Sequence, residues 1–221
     1  SWNKALRMPT YTDLYISNAV QQGDASLSPE KNSAFKIGSR YRQTGFSAVL
    51  SGFYTHGKNM IDWVQTTETE LTDSKYHVMN IGKLDNMGFN VDAEIYMNEL
   101  LPRCFVTNIR LGYAYINQNH ETETEILKSL YALEYLRHKA VFGLDHKIWS
   151  KLSASWSVRW QQRMNGYHPY TKVDCKVMWN DWKYSVYVKA DNITCHRYYD
   201  LSAVKQPGLW VMAGVSVNLG W

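Results

Sequence analysis

The chain has no apolar run approaching the roughly 20 residues that a membrane-spanning helix needs, so a helical membrane protein is excluded. Cysteine is scarce: only Cys104, Cys175 and Cys195 occur in 221 residues. They stand in unrelated segments without CxxC or Cys/His ligand spacing, which supports neither a zinc site nor a disulfide framework; no metal or cofactor is expected. Excess charge of one sign is missing too, since 24 Lys and Arg against 20 Asp and Glu leave +4. With the two signs interleaved, nucleic acid is not an expected partner. Nor does Ser1-Trp-Asn-Lys open a basic stretch followed by an apolar one, so no secretory signal is read. For an exported protein, residue 1 is then expected not to be the natural beginning.

Aromatic rings are plentiful, with nine Trp and sixteen Tyr. Membrane β-barrels use such amphipathic rings at both interfaces. Over residues 209–221, Leu209, Val211, Ala213, Val215, Val217, Leu219 and Trp221 fall on one face of a strand, opposite Trp210, Met212, Gly214, Ser216, Asn218 and Gly220. A soluble sandwich can alternate in the same way. Length discriminates between them, because tilted membrane strands take about 9–11 residues. Leu152, Ala154, Trp156, Val158 and Trp160 oppose Ser153, Ser155, Ser157, Arg159 and Gln161 over such a length. The division recurs in about ten segments. Leu136, Ala140, Phe142, Leu144 and Ile148 share the apolar face of one segment, as do Val173, Cys175, Val177 and Trp179 of another. His138 and His146 fall on that face and are placed near the two rims. The opposite face carries Lys36, Arg40, Asp92, Glu94, Arg110, Arg159, Arg163, Lys172, Asp174 and Lys189, a mixed-charge wall suited to water or a polar plug.

Connections alternate strictly between short ones (43–45, 99–103, 150–151, 180–181) and long ones (roughly 9–32, 62–75, 117–131, 164–169, 192–208). Membrane barrels keep short turns on the periplasmic side and long loops outside. The last strand then runs from outside to the periplasm, and no earlier strand has to be inverted. Trp149, Trp179, Trp182 and Trp221 fall at the inner rim; Tyr115, Trp160, Tyr167 and Tyr170 are expected in an outer girdle.

Particular residues resemble the C-terminal part of TonB-dependent outer-membrane receptors. Leu6-Arg-Met-Pro-Thr-Tyr-Thr-Asp-Leu-Tyr15 is similar to the family's Arg-x-Pro-Thr element, and Leu27-Ser-Pro-Glu30 to its Leu-x-Pro-Glu element. Phe53-Tyr54 with Asn59-Met-Ile61, and Asn80-x-Gly82 onward through Gly88 and Glu94, resemble the elements that follow, although Asn90 stands where the family more often has Glu. Asn192-Ile193, Tyr198-Tyr-Asp200 and Pro207-Gly208 resemble the closing series, with Leu209 in place of the usual Arg. The resemblance implies an all-β, antiparallel transmembrane β-barrel in which residues 1–221 form about ten strands, the C-terminal part of a 22-stranded barrel. The N-terminal plug and first strands are absent from it, so the chain is expected to be a fragment or one part of a split receptor.

The same resemblance implies import of a scarce large nutrient, such as cobalamin, a siderophore, haem or a glycan, across the bacterial outer membrane. Implied partners are the TonB complex, the missing plug and strands, the barrel-assembly machinery, outer-membrane lipid and the transported ligand. Lys58-Asn-Met-Ile-Asp-Trp63 and the short loops look closest to vitamin B12 receptors. Val215, Val217, Leu219 and Trp221 resemble the barrel-assembly signal. Candidate ligand contacts in the outer loops are Tyr11, Tyr15, Trp63, Tyr167 and Tyr198, for which girdle or loop packing is the alternative role. A different class is an autonomous ten-stranded outer-membrane enzyme of protease or lipase type, ten being a closable number. His120 with Glu121, His168, and His196 with Asp200 would supply its rim. A soluble β-sandwich is a third.

Overall fold

The computed structural model describes residues 1–122, 125–130, 136–164, 168–198 and 205–217. Along them run β1 Trp2–Arg7, α1 Tyr11–Tyr15, β2 Gln21–Gln22, β3 Glu30–Gln43, β4 Phe46–Lys58, β5 Ile61–Thr66, α2 Thr67–Thr72, β6 Tyr76–Asn80, β7 Lys83–Tyr96, α3 Met97–Leu100, β8 Val106–Glu121, β9 Ile126–Ser129, β10 Leu136–Lys147, β11 Leu152–Arg163, β12 Tyr170–Asn180, β13 Tyr184–Asp191 and β14 Trp210–Val217. None of the described helices is long and apolar enough to cross a membrane.

Ten strands form one sheet in the order β1-β3-β4-β7-β8-β10-β11-β12-β13-β14, and every neighbouring pair is antiparallel. Because side chains alternate with period two, a single slip in register would exchange the two faces. No such exchange occurs across the central strands: Ser47, Glu94 and Arg110 lie side by side, as do Asp92, Gly112, Val141, Arg159 and Lys172. The other face aligns Leu50 with Val91 and Tyr113, then Ala140 with Trp160. Two irregularities, between Leu136 and His138 and between Asp145 and His146, sit at the ends of β10 where pairing stops.

The histidines of the apolar face lie inside the aromatic belts. His138 accepts or donates at 2.8 Å to the Tyr113 hydroxyl and packs 5.0 Å from the Tyr115 ring and 6.0 Å from Trp160. At the opposite end the Trp156 indole donates to His146 at 3.2 Å. Tyr170 departs from its expected place in the outer girdle. It pairs in register with Gln161, on the polar face, and donates its hydroxyl to that side chain at 2.8 Å. Period two along β12 decides this, since Tyr170 shares parity with Lys172 and Asp174.

The long connections are not plain loops. Strands β2, β6, β5 and β9 pair in that order into a second sheet, with β2 parallel to β6 and the other pairs antiparallel. Its strands come from three successive outer connections, between β1 and β3, β4 and β7, and β8 and β10. Ile61, Trp63 and Val78 form its buried core, covered by Ile16, Leu27, Tyr76 and Leu130. Burial of each large apolar side chain contributes about 1.5–3 kcal/mol, enough to order connections that have no membrane around them.

Candidate functional site

The outer end of the molecule is built from short motifs far apart in sequence. Thr10 caps α1: its hydroxyl accepts the Asp13 N–H at 3.1 Å, and the Asp13 carboxylate accepts the Thr10 N–H at 2.9 Å. Pro9 precedes the cap, where it holds the chain extended without needing a donor. Arg7, at the end of β1, donates to Asp13 at 3.3 Å and to Glu30 at 3.1 Å, so one guanidinium serves two carboxylates. Both carboxylates are nearly buried, with side-chain exposures of 6% and 11%, whereas Arg7 is 48% exposed. Glu30 also accepts the Ile61 N–H at 3.3 Å, which fixes the start of β5.

Asn80 locks the next layer. Its carbonyl accepts the Ser28 N–H at 2.9 Å, and its amide donates to the carbonyls of Ser28 at 3.0 Å and Asn59 at 2.8 Å. Two residues on, Gly82 turns with φ +85, and a Cβ there would collide with the Glu121 carbonyl of β8. Only glycine satisfies both demands. The Arg-x-Pro-Thr, Leu-x-Pro-Glu, Asn-x-Ile and Asn-x-Gly elements are therefore one hydrogen-bonded knot that attaches the loop sheet to the barrel strands.

Within the loop sheet Asp62 is fully buried, accepting from the Ser129 hydroxyl and, at 2.8 Å, from the Trp63 N–H. The Ser129 bond ties β5 to β9 across 67 residues of sequence. Beyond α2, the Asp73 carboxylate is held below its ordinary pKa, first by the Lys75 N–H and then by His77. A second knot organises the last outer connection. Asn192, at φ 54 and 1% exposure, donates its amide to the carbonyls of His196 at 2.9 Å and Pro207 at 3.4 Å, and accepts the His196 N–H at 3.1 Å.

This second knot carries the rings that best fit a ligand-facing role. Tyr198 stacks on Tyr170 at 4.5 Å and 24°, and His196 stacks on Tyr170 at 6.0 Å and 16°. The cluster stands over the polar face, beside Gln161. Tyr11 and Tyr15 are 80% and 59% exposed, with rings 5.0 Å apart on α1. Trp63 differs from the expectation of a loop contact: at 5% exposure its ring fills the loop-sheet core and offers almost no surface. Tyr167 lies outside the described residues, as do Leu219, Trp221 and Asp200. Val215 and Val217 project from the apolar face of β14, 68% and 62% exposed. Sequence reading missed Asn80, Asp62, Tyr170 and Asn192 as organisers. The signal for Asn80 and Asn192 was present in the motifs themselves; that for Asp62 was not, since a lone Asp in an apolar stretch does not declare its partner.

The polar face between β4 and β10 is a cleft of about 550 Å³ lined by Ser47, Asn90, Asp92, Glu94, Arg110 and Lys139, among others. Arg110 reaches Asp145 at 3.0 Å, while the Asn108 amide and the Tyr96 hydroxyl donate to Glu94. Among the described residues no group of three or more His, Cys, Asp or Glu side chains is arranged to hold a metal ion.

A sheet of long antiparallel strands, apolar on one face and polar on the other with structured connections at one end, defines the wall of an outer-membrane barrel. The family model "TonB dependent receptor-like, beta-barrel" matches residues 1–193, and the chain belongs to that family. Its barrel lies in the bacterial outer membrane, and the family is one of transporters and not enzymes. Among solved structures, the copper transporter OprC is similar at TM-score 0.74 and 16% identity, over 97% of this chain and 36% of that one. The siderophore receptor PirA from Pseudomonas aeruginosa is similar at 0.65 and 15%, over 98% and 35%. The FrpB iron transporter from Neisseria meningitidis is similar at 0.65 and 16%, over 89% and 31%. The chain thus spans about a third of the length of each of these proteins.

Proposed function

We propose that this chain is the C-terminal ten-stranded part of a TonB-dependent receptor barrel that imports a scarce large nutrient. It contributes wall and ligand-facing outer loops; the plug and the TonB complex move the cargo. The observation that carries this reading is the continuity of one polar and one apolar face through ten strands, with the Asn192 knot holding Tyr170, His196 and Tyr198 above the polar side. Strands β1 and β14 are the two edges of the sheet. In lipid both edges need partners, which the remaining barrel strands provide.

For the cargo, a metal complex or siderophore is favoured by the similar structures, which include a copper transporter and receptors for ferric enterobactin and pyoverdine. Within the segment that resembles vitamin B12 receptors, Lys58 to Trp63, Ile61 and Trp63 fill the loop-sheet core, so these two carry little information about cargo. Tyr11, Tyr15 and Tyr198 are the ligand contacts we retain, and Trp63 is reassigned to support them. The test is energy-dependent accumulation of labelled ferric siderophores, copper and cobalamin by cells bearing the receptor, with and without TonB. Uptake of one of them that disappears without TonB supports the reading. Uptake of none, or uptake indifferent to TonB, overturns it.

A further inference from the structure

The membrane-facing side of the sheet bears a feature that nutrient uptake does not use. Lys31 on β3, Lys58 on β4 and Lys83 on β7 are direct cross-strand neighbours, in register from one strand to the next. All three share parity with the apolar face: Lys31 with Phe35 and Ile37, Lys58 with Leu50 and Tyr54, Lys83 with Met87 and Phe89. Like charges placed directly opposite one another destabilise a sheet. Glu121 pairs with Lys83 at 2.9 Å, on the far side from Lys58. Lys31 and Lys58 have no carboxylate partner among the described residues. One step below, Asp85 is engaged by His56 at 2.6 Å and by the Tyr54 hydroxyl at 2.9 Å.

Position along the strand gives the row its meaning. Tyr41, which packs against Phe46 at 6.2 Å, marks the inner end of the same face of β3, ten residues from Lys31. Ten residues at ~3.3 Å span about 33 Å along a strand, and a tilt near 40° reduces this to roughly 25 Å, the height of a barrel's apolar band. The lysines therefore stand at the outer water–lipid boundary. Beneath them the same face holds a groove of about 440 Å³ lined by Phe35, Ile37, Tyr54, Met87, Phe89 and Tyr115. Gly52 opens it, for a Cβ there would meet nothing nearer than the Ile37 methyl at 3.7 Å.

We propose that the lysine row and the groove together form a binding site for a phosphate-bearing lipid of the outer leaflet, with the headgroup phosphate between Lys31 and Lys58 and an acyl chain in the groove. Charge complementarity selects the headgroup. The six-residue offset between Lys58 and Gly52, about 20 Å along the strand, leaves the chain running downward into the bilayer.

The experiment is native mass spectrometry of the receptor in detergent, titrated with phosphatidylglycerol, with phosphatidylcholine, or with inorganic phosphate. Wild-type protein retains phosphatidylglycerol in preference to the other two. One Lys→Gln change at position 31 or 58 weakens retention roughly fivefold, and the triple change with Lys83→Gln on the order of a hundredfold. Lys36→Gln, on the polar face, leaves it unchanged, and Gly52→Leu weakens it by filling the groove. Equal retention of the two lipids, an undiminished triple variant, or phosphate binding as tightly as the lipid would each overturn the proposal. Unaltered heat-modifiable migration of every variant shows that the barrel has formed.

Discussion

Replacing Arg7 by Gln should loosen the loop sheet while leaving the barrel strands intact. The guanidinium makes two hydrogen bonds, at 3.1 and 3.3 Å, to carboxylates that are almost buried. A charge-assisted bond contributes about 1.5–3 kcal/mol. Half exposure of Arg7 and the length of both bonds reduce the pair to about 2 kcal/mol in total. Asp13 keeps the Thr10 N–H and Glu30 keeps the Ile61 N–H, so neither carboxylate is left without a donor. A loss of that size raises the open population roughly thirtyfold. Hydrogen exchange followed by mass spectrometry should then show about thirtyfold faster exchange in residues 61–66 and 76–80 and in α1. Peptides from β10 to β12 should exchange as in the wild type. Adding Glu30→Gln should recover part of the loss, since the unpaired charge is gone. Unchanged exchange in the loop sheet, or acceleration spread evenly over the barrel, would refute the claim that Arg7 ties the two together.

Trp63→Ala should cost about 3–5 kcal/mol of local stability, read as loss of loop-sheet protection in the same exchange experiment; a change in ligand affinity without loss of protection would return Trp63 to the binding surface. Gly82→Ala should reduce assembled barrel in the outer membrane, because its φ and the Glu121 carbonyl both exclude a Cβ, whereas wild-type levels would show that the turn adapts. At the inner rim Asp181 accepts from Lys151 at 2.9 Å and from the Trp182 N–H at 2.7 Å, and these bonds hold its pKa below the ordinary range. The folded pKa is depressed, so the stabilisation is present above the ordinary carboxylate pKa and is lost as pH falls through the lowered one. Asp181→Asn should flatten the acid limb of turn stability measured by exchange of residues 148–151, and an unchanged limb would count against the clamp. Tyr198→Ala should weaken ligand binding about fivefold if each stacked ring contributes on the order of 1 kcal/mol, with Tyr11→Ala as an independent site; wild-type affinity in both variants would remove these rings from the binding surface.

The barrel wall was legible in the sequence because its information is local. Period-two alternation in β11 or β14 follows from the lipid on one side, and the alternation of short and long connections gave each strand its direction. The loop sheet was not legible for the opposite reason. Residues 61–66, Ile-Asp-Trp-Val-Gln-Thr, are buried on both faces, so polar and apolar side chains mix without alternation and the segment reads as part of a long connection. The edge strands of that sheet, Gln21–Gln22 and Ile126–Ser129, are too short to announce themselves. Tyr170 was misplaced because a tyrosine at a rim suits a girdle and a lumen wall equally, although the parity it shares with Lys172 and Asp174 puts it on the polar face. The family motifs were visible as a series of resemblances. What they do became clear only when Arg7, Glu30, Asn59, Ile61 and Asn80 were found in one knot.

Thiol labelling of intact cells tests the central claim most directly. The loops of the two knots must lie outside and the short turns inside. Cys195, exposed in the last outer connection, is kept as the sole thiol in one variant by Cys104→Ser and Cys175→Ser. In a second, Ser150→Cys places a lone thiol in the turn between β10 and β11, with all three native cysteines replaced by Ser. A membrane-impermeant maleimide should label Cys195 in intact cells and reach position 150 only after the outer membrane is permeabilised. Labelling of position 150 in intact cells, or protection of Cys195 until permeabilisation, would contradict the account.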